Sequence, residues 1–147
     1  MLAWGNPSRG DDALGPLFAE AVEAWQLPGV ECLTDFQLQV EHALDLQGRE
    51  RVLFVDATMA PQSPAEDATR GYGVIPLQPR RDSSFTTHAL SPQAVLQAWV
   101  DLHGQPPPPA WLLSIHGVTW DLGDEVSPAA RLCLNNALRW THDWLKG

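Results

Sequence analysis

The sequence predicts an α/β fold: a three-layer α/β/α sandwich whose doubly wound, mostly parallel, five-stranded sheet carries helices on both faces. Three observations predict it. Short β-branched or Leu-rich runs alternate with longer segments of helical spacing. Arg51 to Asp56 (RVLFVD) has the continuous apolar core of a strand buried on both sides. Ser91-Pro92 and Ser127-Pro128 each set a capping hydroxyl before a proline at a first helical position.

In chain order, Leu2-Ala3-Trp4 reads as the end of a first strand, below the usual length and suggestive of a clipped or misassigned start. It leads into the turn Gly5-Asn6-Pro7-Ser8-Arg9-Gly10. Leu14, Leu17, Phe18, Ala21, Val22 and Trp25 then repeat as one face of a helix. Val30 to Thr34 is expected as a second strand, Leu38 to Leu46 as a helix and Arg51 to Asp56 as the third strand. Ala60 to Gly71 has the composition of a surface loop. Tyr72 to Leu77 reads as an edge strand because it ends in Pro76, and an antiparallel direction is open to it. The two Ser-Pro starts open helices to about His103 and about Leu145, and between them Pro106 to Pro109 stiffens a connector into the strand Ala110 to Ile115. No linker or repeat divides the 147 residues, so a single domain, 1-147, is expected.

Composition narrows the function classes. Nine Lys and Arg against 18 Asp and Glu give a net charge of −9, which disfavours a phosphate backbone as partner. No apolar run approaches the roughly 20 residues of a membrane span, and the start lacks an export signal, so a soluble, cytoplasmic, monomeric protein is expected. Cys32 and Cys133 make neither a disulfide framework nor a thiolate metal cluster and are expected as core filler.

In an open α/β sheet, the loops leaving the carboxyl ends of parallel strands gather along one edge. Asp11 and Asp12 follow the first strand, Asp35 the second and Asp56 the third, while His88 lies just before a helix start. Carboxylates and an imidazole suit a borderline divalent ion such as nickel, zinc or manganese. Blander readings stand beside this one. Asp11 and Asp12 can serve as helix-start acids, Asp56 can bond loop amides, and His88 can be a surface residue. His42, His103 and His142 fall on expected helices as solvated or packed residues, and His116, after a buried strand, is the rival ligand. The turn Gly5 to Gly10 matches neither the dinucleotide nor the P-loop spacing, and no Gly-x-Ser-x-Gly elbow is present.

Gly5-Asn6-Pro7-Ser8-Arg9-Gly10-Asp11-Asp12-Ala13-Leu14-Gly15 resembles the N-terminal signature of the hydrogenase maturation endopeptidases. The resemblance extends through Phe54-Val55-Asp56-Ala57, His88-Ala89-Leu90-Ser91-Pro92 and Asp121-Leu122-Gly123-Asp124-Glu125-Val126-Ser127-Pro128, in that family's order. It implies that Asp12, Asp56 and His88 contact a metal: nickel carried by the substrate, with other divalent cations able to occupy the site. It implies removal of a C-terminal extension from the precursor large subunit of a nickel-iron hydrogenase, with Asp11 or Asp35 as the base. Phe36-Gln37-Leu38-Gln39 replaces the Gly-rich turn common in that family, and the segment through His42 looks like that of members serving bidirectional, NAD-linked hydrogenases. The alternative is a non-catalytic metal-binding or chaperone module for the same subunit.

Overall fold

The computed structural model describes residues 1–59, 70–82 and 90–147. The strands are β1 (Leu2–Trp4), β2 (Leu33–Asp35), β3 (Val52–Met59), β4 (Tyr72–Pro76) and β5 (Ala110–Gly117). The helices of the described residues are α1 (Leu14–Ala24), α2 (Pro92–His103) and α3 (Pro128–Lys146), with 3-10 segments at Gly10–Ala13 and Val40–Leu46. The sheet order is β2-β1-β3-β5-β4. The first four of these strands run parallel, and β4 pairs antiparallel with β5 as an edge. The expected fold class is therefore the observed one.

Residues alternate between the two faces of the sheet, as the pleat requires. Ala3, Leu53, Val55, Ala57, Leu113 and Ile115 pack with Leu14, Phe18 and Val22 of α1 and Ala130, Leu134 and Ala137 of α3. Leu2, Val52, Phe54 and Ala110 pack on the other side with Leu38, Ala43 and Leu46 and with Val95, Leu96 and Trp99 of α2. Both Ser-Pro signals are realised as caps. Ser91 and Ser127 each accept the N–H of the residue three on, from Ala94 and Ala130, at 3.1 Å, and α2 closes on Gly104 in the left-handed conformation.

Several boundaries differ from the sequence reading. The stretch expected as a helix over Leu38 to Leu46 is a 3-10 segment, and β2 starts at Leu33 rather than Val30. Strand β3 does not stop at Asp56 but continues to Met59, because β5 continues beside it and pairs Asp56 with Ser114 and Met59 with Gly117. The surface loop expected over Ala60 to Gly71 lies outside the described residues except at its last two positions.

The topology contains one reversal. From β1 the chain crosses to β2 on one side, and β3 then returns to pair on the other side of β1. The crevice above β1 and β3 is thus the switch point of the sheet, where open α/β folds hold ligands.

Candidate active site at the switch point

Close backbone approach shapes the start of the site. A Cβ at Gly15 would sit 2.3 Å from the carbonyl oxygen of Trp4, so only glycine lets α1 rest against the end of β1. Gly5, at φ +149°, would bring a Cβ to 2.0 Å from the Asp12 carbonyl oxygen. That tight turn lets the Asn6 N–H donate to Asp12 Oδ2 at 2.7 Å, which aims the half-buried Asp12 carboxylate back over the end of β1.

Asp56 comes to the same place from β3. Ala3 pairs with Val55 and Trp4 with Asp35, so Asp35, Trp4 and Asp56 lie in one row across β2, β1 and β3, with Ser114 next on β5. Burial pushes the Asp56 carboxyl up from the ordinary 3.8 to about 7. An N–H from Ala57 opposes the rise, and the negative charge of Asp12 adds to it. The two carboxylates therefore repel each other at the crevice, an arrangement that a proton or a cation relieves. His88, the third expected ligand, lies outside the described residues. Among the described residues no group of three or more His, Cys, Asp or Glu is placed to hold a metal ion. The described part of the site thus supplies two oxygen donors, whose charge and chemistry suit a divalent cation.

Asp11 and Asp12 are neighbours with opposite fates. Asp11 is fully buried, and its carboxylate accepts four hydrogen bonds: Oδ2 from the N–H groups of Val118 at 2.7 Å and Thr119 at 3.0 Å and from the Ser127 hydroxyl at 2.8 Å, and Oδ1 from the Ser127 N–H at 2.7 Å. Burial alone would raise its pKa, but these donors outweigh burial and hold it below the ordinary carboxylate value. It does not cap its own turn. It joins the first loop to the β5–α3 loop, a connection reinforced by Gly10 N–H to Asp124 O and Gly123 N–H to Ser8 O. The two sequence motifs around Asp11 and Asp124 are thus halves of one interlock.

Asp35 sits on the neighbouring strand with its side chain 37% exposed. Its carbonyl accepts the Gly5 N–H at 3.1 Å, which ties it to the Asp12 turn. Its Oδ1 accepts the Phe36 N–H at 2.7 Å, and Oδ2 lies 3.4 Å from His42 Nε2. His42, expected from its helical spacing to be solvated or packed, is buried. A signal for it was present in Gln39-Val40-Glu41-His42. This is capping-box spacing, and the Gln39 N–H donates to His42 Nδ1 at 2.8 Å while the Gln39 side chain accepts the His42 backbone N–H. His116, the rival ligand, is buried at the end of β5, and its N–H donates to the Gly71 carbonyl. His142 packs edge-on against Trp25, and the tilted ring of His103 packs against Trp99 of α2.

Solved structures share this arrangement of strands and helices. The hydrogenase maturating endopeptidase HybD from E. coli superposes with a TM-score of 0.72 at 21% identity, over 99% of this chain and 90% of that one. The chain has the fold of the hydrogenase maturation proteases. The NiFe hydrogenase maturation protease HycI from Thermococcus kodakarensis gives a TM-score of 0.68 at 19% identity, over 99% of this chain and 90% of that one. The hydrogenase 2 maturation peptidase from a Thaumarchaeota archaeon gives 0.67 at 19% identity, over 98% and 95%. At these identities the likeness is one of fold. No protein-family model matches the sequence, and no curated protein matches it. No helix among the described residues is long and apolar enough to cross a membrane.

Proposed function

We propose that the protein is an endopeptidase that removes the C-terminal extension from the nickel-loaded precursor large subunit of a nickel-iron hydrogenase. The observation that carries this reading is the pair Asp12 and Asp56 at the switch point, with Asp56 pushed up to about 7 by burial and by its neighbour's charge. A half-buried carboxylate held at that value opposes folding when ionised, and such groups cluster at sites where charge is recognised or moved. The fold shared with hydrogenase maturation proteases supports the same reading.

In this mechanism Asp12 and Asp56, joined by His88, receive the nickel that the precursor carries and so present the scissile peptide to the sheet edge. Held there, the ion would supply Lewis-acid polarisation. Asp35 is the base rather than Asp11, because Asp11 is buried with both oxygens engaged while Asp35 reaches solvent. A water oxygen adds to the scissile carbonyl carbon as the water's proton passes to Asp35. The C–N bond then breaks, the proton moves on to the leaving nitrogen, and a carboxylic acid and an amine result, the acid releasing its remaining proton to solvent. Asp11 keeps the first loop and the β5–α3 loop in register, so it positions Asp12 without touching the substrate.

The test is incubation of the purified protein with precursor large subunit prepared with and without nickel, followed by intact-mass measurement. Loss of a C-terminal segment from the nickel-loaded form alone is expected. Binding without mass loss would replace the endopeptidase reading with that of a chaperone, and equal cleavage of both forms would remove nickel from recognition.

A further inference from the structure

The proposed reaction leaves the buried His42 without a role. His42 Nδ1 accepts the Gln39 N–H at 2.8 Å, so that nitrogen carries no proton and the ring's proton resides on Nε2. Nε2 faces Asp35 Oδ2 at 3.4 Å, the long separation common for catalytic hydrogen bonds before substrate tightens them. The other Asp35 oxygen accepts the Phe36 N–H at 2.7 Å. One Asp35 oxygen therefore holds a backbone N–H, and the other has the His42 imidazole at ion-pair distance, on a side chain that reaches solvent. The local backbone thus fixes which ring nitrogen faces Asp35, because Nδ1 is occupied by the Gln39 N–H.

We propose that His42 is a positioning residue for Asp35, fixing the carboxylate in the orientation that takes the proton from the attacking water. This rests on the endopeptidase reading and on Asp35 as its base. The chain of contacts runs from the Gln39 backbone through His42 to Asp35, with no part of it in the Asp12 and Asp56 pair. An imidazole held from behind by a backbone amide orients a carboxylate as second partners orient ligands and bases elsewhere. A purely structural capping role predicts a different outcome, because losing a cap lowers stability without separating kcat from KM.

The experiment measures kcat and KM for cleavage of nickel-loaded precursor by the wild type, His42→Phe, His42→Gln, Asp35→Asn and the Asp35→Asn/His42→Phe double variant, at a temperature where urea titration shows each folded. His42→Phe is expected to lower kcat by about 10-fold to 100-fold with KM within about 3-fold. His42→Gln, whose amide keeps an N–H within reach of Asp35, is expected to recover to within about 5-fold of wild type. Adding His42→Phe to Asp35→Asn is expected to cause no further loss, since both changes remove one function. Long-range proton–nitrogen NMR of the wild type should show Nε2, and not Nδ1, as the nitrogen that carries the proton in the His42 tautomer. Wild-type kcat in His42→Phe, independent losses in the double variant, or an Nδ1–H tautomer would overturn the proposal while leaving the endopeptidase reading intact. A wild-type protein that cuts nothing would overturn the endopeptidase reading and this role with it.

Discussion

Replacing Asp56 with Asn is expected to make the protein more stable and inactive at once. Asp56 has a folded-state pKa of about 7 against an ordinary 3.8. Because the folded value is the higher one, the folded state holds its proton longer than the unfolded chain. The stability this confers is full below pH ~4 and is lost as pH rises through about 7. At ~1.4 kcal/mol per pH unit, that interval corresponds to about 4 kcal/mol as an upper bound. Asp56 is only partly buried by accessible area, and water entry and relaxation at the crevice reduce the figure to ~1–3 kcal/mol, still a sizeable share of a stability of ~5–15 kcal/mol. The assay is urea unfolding in the presence of a chelator at pH 5, 6, 7 and 8. The wild-type midpoint should fall across that range, while Asp56→Asn should be flatter and higher by about 1 M at pH 8. Equal midpoints for the two proteins at pH 8, or a wild-type midpoint that rises with pH, would refute the argument that burial and the Asp12 charge disfavour ionised Asp56.

Further outcomes follow from the same geometry. A divalent cation such as nickel or zinc at about 100 times its dissociation constant should raise wild-type stability at pH 8 by about 2.7 kcal/mol, and should leave Asp56→Asn nearly unchanged by the same urea titration. Asp11→Ala strips the acceptor from four donors, so a loss of ~3 kcal/mol or more in thermal or urea unfolding is expected, larger than for Asp11→Asn. Ser127→Ala removes both the α3 cap and one Asp11 partner and should cost about 1–2 kcal/mol. Gly15→Ala sets a Cβ against the Trp4 carbonyl and should destabilise by ~2 kcal/mol or more, read from the same titration.

Much of the fold was legible because its signals are local. The RVLFVD run, the alternation of periods and the two Ser-Pro caps each declare an element within a few residues. The 3-10 segment was misread because Leu38, Ala43 and Leu46 carry a spacing that a helix would also bury, and only the Gln39 and His42 exchange reveals how the turn is closed. The extension of β3 past Asp56 depends on a partner strand more than fifty residues away. The candidate site divides in the same way. Placing Asp12, Asp35 and Asp56 at one sheet edge follows from strand ends alone. Telling Asp11 from Asp12 does not, since it depends on N–H groups of Val118, Thr119 and Ser127 that reach Asp11 across more than a hundred residues. The His42 contact was hidden by its apparent helical position, since Gln39 and His42 are not the residue types of the usual capping box.

The central claim is that the switch-point carboxylates receive the substrate's nickel and thereby permit cleavage. Intact-mass measurement of nickel-loaded precursor incubated with wild-type protein or with Asp56→Asn tests it most directly. The account predicts loss of the C-terminal segment with the wild type and an unchanged precursor with the more stable, fully folded Asp56→Asn. Cleavage by Asp56→Asn at the wild-type rate would contradict it.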